Sequence, residues 1–464
     1  FIINPPAFSS AKNNDTSRTE KNMGRVDVSA WKSESFQVSP DGKHFAYVTQ
    51  VGEKQAVVVD GRRGKLYDGI GKRETFFSPD SQHVAYVAQL KDNWHAVRDE
   101  VQGKAYEGLA TPVFSPDSMH LAYKAKLGDK ASVVLDGVVG PLYESLGERE
   151  HFIVFSPDSK RLGHVITEGG KYFVVINGKK GKPYDFIGEN SLVFSPDSRH
   201  FAYRAMDAGK VAIVLDGQEH KLFEAFSASI PLFSPDSQHL IYVAGEGNKK
   251  FLVIDGKEQA AYDDIVSISP TFSADGKHIA YVVKDKDKEF VVVDGKAGDK
   301  YVRIPQENPV FSADGKRIAY VAVKDGKEVA VIDGEAGKPY DDIGRFAPFF
   351  SPDGRQVAYR VAQGTELFVV VDGEEQRHYS GIGKSDPVFS PDGAHILYRA
   401  HADGGELLVI DGHEEKAYDL ILSKIKFESP NRLHYLAVKD ETIYLVSRKK
   451  LDAGRHEASI KLRN

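Results

Sequence analysis

The chain has 464 residues, with 61 basic and 67 acidic side chains, a net charge of −6, 28% charged and 41% hydrophobic residues. Cysteine is absent, which excludes a disulfide scaffold, a thiolate metal centre and a cysteine nucleophile. The mild acidity without a basic block argues against a dedicated nucleic-acid binder, and no apolar run reaches the roughly 18 residues of a membrane-spanning helix.

Residues 1–23 are polar and read as an N-terminal tail, and residues 24–464 read as one repetitive domain. The first residue is Phe, so removal of an export signal or a shortened chain is the expectation. Arg25 to Ala30 alternates apolar and polar residues and is expected to form a strand. The string Phe-Ser-Pro-Asp, or a close variant, then recurs with its Ser at Ser39, Ser78, Ser115, Ser156, Ser195, Ser234, Ser273, Ser312, Ser351, Ser390 and Ser429. The intervals are 39, 37 and 41, then 39 seven times. A period of this length marks a repeat architecture.

A second landmark, an apolar run ending in Asp-Gly, keeps step with the first from Asp60 to Asp411, with Asn177 in the fourth copy and Glu100 in place of the Gly in the second. Two tyrosine columns hold the same register, one from Tyr47 to Tyr398 with His164 in the fourth copy, the other from Tyr67 to Tyr418 with Phe223 in the fifth. Their regularity predicts core residues. Each copy reads as four short strands, as in the eighth: Pro309 to Ser312, Arg317 to Val323, Glu328 to Asp333 and Lys338 to Ile343. Runs such as Val57 to Asp60 are apolar on both faces, which predicts sheets stacked face to face.

Ser-Pro-Asp-Gly suits a type I turn, and Asp-Gly signals a tight hairpin. Five copies carry Ser in place of the first motif's Gly, at Ser81, Ser118, Ser159, Ser198 and Ser237. That substitution predicts a fourth position with no left-handed backbone.

These units resemble the WD40-like propeller repeat in its Pro-Asp form, with the pattern F-S-P-D-G-x-x-apolar-A-Y, over about residues 36 to 440. The repeat is shared with TolB-like proteins and with the gating propellers of prolyl-oligopeptidase-type enzymes. The resemblance implies an all-β propeller of about eleven four-stranded blades and an extracytoplasmic, bacterial setting, periplasmic or secreted. The nucleophile elbow G-x-S-x-G of the peptidases does not occur in the chain. The spacing stays at 39 where a division into two propellers would fall, so one large ring is expected rather than two in tandem. The eleventh copy offers three strands, Lys424 to Glu428, Leu433 to Val438 and Thr442 to Arg448. Either Arg25 to Ala30 or Ala458 to Leu462 is expected to add the fourth and remove an open edge.

Histidine recurs at the turn exit in seven copies, from His44 to His395, with Arg161, Arg317 and Gln356 in the others. Equivalent places on different blades are too far apart to share a metal ion, so a turn-satisfying role is expected. The Asp of each Ser-Pro-Asp turn supplies one carboxylate where calcium needs six to eight oxygens, and is read as a turn cap. No metal, cofactor or catalytic set is expected. The residues that break the repeat are the better interaction candidates. Arg73, Glu74, Glu150, His151, Asn190, Asn308, Arg345, Lys384 and Asp386 are placed in connections between blades, at the mouth of the central channel. Trp94, read in the loop Lys91 to His95, is the aromatic candidate. The second copy is irregular, with Arg98, Asp99 and Glu100 where others have an apolar residue, Asp and Gly.

These readings lead to a non-catalytic scaffold that binds protein partners through a loop-rich face, as a subunit or accessory factor of a larger extracytoplasmic assembly. The alternative is a propeller enzyme, or a small-ligand or saccharide binder, with its site at the channel mouth.

Overall fold

The computed structural model describes residues 17–25, 33–71, 77–146, 153–224, 230–266, 270–305, 309–344, 348–383, 387–402 and 404–451. They form eleven antiparallel sheets and contain no α-helix. Each sheet is a blade of four strands, here A to D from the channel outward. In blade 1 they are Gln37–Val38, Phe45–Val51, Lys54–Val59 and Arg62–Arg63.

Eleven hydrophobic clusters tie the blades together, and each spans two neighbours. Val48 and Val57 of blade 1 pack with Tyr86 and Val97 of blade 2, and the series runs on to blades 10 and 11. The eleventh joins Leu436 and Ile443 of blade 11 to Phe45, Tyr47 and Val58 of blade 1. Eleven blades with eleven successive interfaces make one closed ring, an eleven-bladed propeller. The expectation of a single ring holds.

Strand D of blade 11 comes from the N-terminus. Arg18–Arg25 runs antiparallel to Thr442–Arg448, with Arg18 opposite Arg448 and Arg25 opposite Thr442. The expected closure is therefore made by an earlier segment than Arg25 to Ala30, and residues 18–23 of the expected tail are strand. Residues 26–32 and 452–464, which include most of Arg25 to Ala30 and all of Ala458 to Leu462, lie outside the described residues.

The eighth copy corrects one strand boundary. Strand D there is Glu335–Tyr340, whereas Asp342–Ile343 pairs with Val361 and Ala362 of blade 9. The chain thus passes from the outer strand of one blade to the inner strand of the next within two residues. Inner strands are interrupted partway. In blade 10, Ile382 pairs with Ala400 and Val388 with Leu397, both on strand B. The interruption there is residues 383–387, five long. It is 110–112, three long, in blade 3, whereas in blade 4 it lies between Leu146, which follows the Ser145–Thr167 bridge, and Ile153, which pairs with His164. The irregular intervals of 37 and 41 arise here.

The two tyrosine columns meet between blades. In eight blades the strand-D ring sits edge-on to the strand-B ring of the next, as in Tyr67 and Tyr86 at 6.3 Å and Tyr184 and Tyr203 at 6.1 Å between centroids. Such pairs add to the area they bury. Burial pushes the Tyr203 phenol up to about 12.

The first landmark folds as a type I turn with the backbone N–H of the fourth residue bonded to the Ser carbonyl, as from Gly42 to Ser39 at 2.9 Å. The buried Ser39 hydroxyl donates to Asp41 Oδ1 and accepts from the His44 N–H. The equivalent Ser273 hydroxyl, the first cause, and the Lys277 N–H hold Asp275 down at about 2. The fourth residue is left-handed in every form, with φ of 62° to 66° at the five serines as well as at Gly42 and its counterparts. The expectation of a right-handed serine is wrong. Each serine hydroxyl accepts the Asp N–H of the preceding blade, as Ser198 does from Asp158 at 2.9 Å, and this bond offsets the left-handed strain.

The second landmark is a type I′ hairpin, with both central residues at positive φ, 48° at Asp60 and 77° at Gly61. Its Asp faces the turn-exit histidine of the same blade. His44 Nδ1 lies 2.6 Å from Asp60 Oδ2, while Asp60 Oδ1 accepts the Phe45 N–H. All seven histidines make this pair. Arg317 and Gln356 reach the same carboxylate in their blades.

Candidate functional site

Arg73, Glu74, Glu150, His151, Asn308, Arg345, Lys384 and Asp386 lie outside the described residues. Asn190 is described. It is exposed and left-handed, with φ 52°, inside a tight turn closed from Ser191 to the Gly188 carbonyl. Asn tolerates that backbone.

Trp94 is not in a loop. It belongs to strand C of blade 2, Asn93–Arg98, opposite Gln89, and exchanges backbone hydrogen bonds with Tyr106 at 2.8 and 3.0 Å. Its ring is half-buried. Seven other blades make the same bridge with unrelated residues, from Gln55 to Glu406. The two described candidates, Trp94 and Asn190, stand on different blades, the second and the fifth. Among the described residues, no three His, Cys, Asp or Glu side chains are placed to hold a metal ion.

A different group is brought together, at the periphery between blades 2 and 3. The residue before the hairpin Asp is Val, Leu or Ile in nine copies, from Val59 to Ile410, and most of these pack into the interface with the next blade. In blade 2 it is Arg98. Its guanidinium crosses to blade 3, donating to the carbonyls of Ser118 and Met119 at 3.2 Å and covering the Phe114 ring at 5.4 Å. A cleft of about 500 Å³ lies here between the blades, against about 270 Å³ at the same place between blades 6 and 7, where Ile254 is the apolar plug. Ala96, Leu121 and Tyr123 line it, with Asp99, Val101, Met119, Asp136 and Gly137.

Two apolar residues, Val101 and Met119, line this cleft where the repeat is otherwise polar, and a third, Val138, follows the lining residue Gly137. Two residues after the hairpin Asp, eight copies carry Arg, Lys, Gln, Glu or His, whereas blades 2 and 3 carry Val101 and Val138. Four residues before the strand-B Tyr column, eight copies carry Lys, Arg or Gln and another Ala394, whereas blade 3 carries Met119. Val101, Met119 and Val138 are 73%, 71% and 70% exposed, the three most exposed large apolar side chains among the described residues. Glu100 stands at φ 65° beside Val101, in the hairpin position that is Gly in the other copies. Reading the aligned repeats column by column for apolar residues in charged columns would have found this group. Searching for chemically active residue types did not.

The ring defines the class, a β-propeller. No protein-family model matches the chain, and no curated protein matches it. Solved structures do. A eukaryotic initiation factor structure is 12% identical, with a TM-score of 0.41, over 80% of this chain and 97% of that one. TolB from Acinetobacter baumannii is 16% identical, with a TM-score of 0.24, over 63% and 78%. The β-propeller domain of the Trilobed protease from Pyrococcus furiosus is 18% identical, with a TM-score of 0.29, over 60% and 99%. These are likenesses of fold.

Proposed function

We propose that this chain is a non-catalytic scaffold of the WD40-like, Pro-Asp propeller type that binds protein partners, as a subunit or accessory factor of an extracytoplasmic bacterial assembly. The observation that carries the reading is the exposed pair Val101 and Met119 lining an open cleft, with exposed Val138 next to its Gly137, at positions that are polar in most other blades. Clustered exposed apolar residues with a polar surround mark interaction sites. Lack of cysteine and the Pro-Asp repeat support export.

The test is purification from the native source under gentle conditions, with mass in solution and mass spectrometry of co-migrating proteins. Defined partners that stay with the native chain and leave the Val101→Lys, Met119→Lys, Val138→Lys variant support the reading. A bare 51.2 kDa monomer overturns it.

A further inference from the structure

We infer that the cleft between blades 2 and 3 receives an extended segment of a different protein, inserting one large apolar side chain flanked by lysine or arginine. The inference rests on the scaffold reading and adds the chemistry of the partner.

The apolar half follows from the floor and the rim. Ala96, Leu121 and Tyr123 form an apolar base, and Val101 and Met119 stand at its edge. The volume of about 500 Å³ is in the range of pockets that bury most of a small ligand, and is large enough for an aromatic or Leu-sized anchor. Such anchors dominate binding energy when they fill a pocket.

The charged half follows from what surrounds it. Arg98 is committed to the Ser118 and Met119 carbonyls and lies 3.6 Å from Asp99. Asp99 and Asp136 line the cleft and are each about 40% exposed. Asp117 accepts the Met119 N–H at 3.0 Å, whereas Glu100 lines the clefts on the blade 1 side. Against the three acids Asp99, Asp117 and Asp136 stand Arg98 and Lys104, and His83 and His120, which bond Asp99 and Asp136. With neutral histidines the count is two positive and three negative, a net charge of −1. The rim is rich in acceptors, so a complementary partner supplies donors and positive charge.

A random linear-peptide display library panned against the full chain tests this. The expected enrichment is one large apolar residue with Lys or Arg close by. A synthetic peptide of that sequence should lose about ten-fold or more in affinity on Met119→Lys, a residue that blades 1, 4, 7 and 8 already carry at that place. Its affinity should also fall with added salt, and less steeply in Asp136→Asn, which removes a charge from the cleft and places there the Asn that the fourth copy carries at Asn177. No enrichment, acidic flanks, binding unchanged by Met119→Lys, or Met119-dependent self-association of the chain would each overturn it. If native partners leave the triple variant but bind without basic residues, the chemistry fails and the scaffold reading stands. If native partners ignore the triple variant, the scaffold reading at this face fails.

Discussion

The Lys416 ammonium lies 3.0 Å from the Glu20 carboxylate, although 396 residues separate them. Four interior blades make the same bridge to the next blade: Lys182 to Glu219, Lys221 to Glu258, Lys338 to Glu375 and Arg377 to Glu414. Glu20 therefore occupies, on an N-terminal strand, the place that a strand-D acid occupies elsewhere. Arg18 adds to the closure, donating to the Tyr418 hydroxyl and covering its ring. Exposed bridges are individually weak, so closure rests mainly on the backbone pairing of Arg18–Arg25 with Thr442–Arg448. A chain beginning after Arg25 would expose that edge. It should melt at lower temperature and self-associate, measured by thermal denaturation and light scattering, while Glu219→Ala should change neither by much. A monomeric truncated chain with full thermal stability would contradict this account.

The left-handed serines make a sharper comparison. Ser198→Ala keeps the strained backbone and leaves the Asp158 N–H without its acceptor, so it should cost about 1–3 kcal/mol. Ser198→Gly loses the same bond but relieves about 1 kcal/mol of strain, and should cost less than the alanine. The reverse change is blocked by space in another blade: a Cβ on Gly276 would stand 2.7 Å from Asp236 Cγ. Gly276→Ser should therefore destabilise the ring. Denaturant titration of the three variants gives the order directly, and an alanine milder than the glycine would refute it.

Much of this architecture could be read from the chain because its signals are periodic. The tyrosine columns announced the interfaces, and Asp-Gly announced its hairpins. The boundary of strand D was misread because Tyr340, Asp342 and Ile343 look continuous in sequence, and only pairing partners show that the last two belong to blade 9. The left-handed serines were misread because turn propensity carries no knowledge of an N–H arriving from another blade. The His–Asp pairing did leave a trace: in the fourth copy Arg161 replaces His and Asn177 replaces Asp together. The apolar group around Met119 was equally visible, but each member looks ordinary until its column is compared.

His164 stands in the tyrosine column of blade 4, 7% exposed, with Tyr143 6.0 Å away and no hydrogen-bond partner on either ring nitrogen. Burial lowers it from 6.5 to about 4. Between those values the unfolded chain binds a proton that the folded chain does not. Its contribution is thus complete above about pH 6.5 and is lost as pH falls towards 4, by roughly 3 kcal/mol in total. His164→Tyr, the residue of the other copies, should remove this slope and stabilise the ring at acidic pH. Denaturant midpoints of the two proteins from pH 7 to pH 4 should diverge on acidification, and parallel curves would count against it.

Arg98 sets packing against binding. Replacing it by Val restores the apolar plug that nine other copies carry, and should gain about 1–2 kcal/mol from burial. Against that gain stand the lost bonds to Ser118 and Met119, both partly open to solvent, where a net hydrogen bond contributes about 1 kcal/mol or less. Arg98→Val should therefore be neutral to stabilising in thermal denaturation, while filling the cleft and weakening whatever binds there. A variant that gains stability and loses its partner would show that this interface is left open for function. A variant that loses stability and keeps its partner would show that Arg98 is chiefly a brace between two blades.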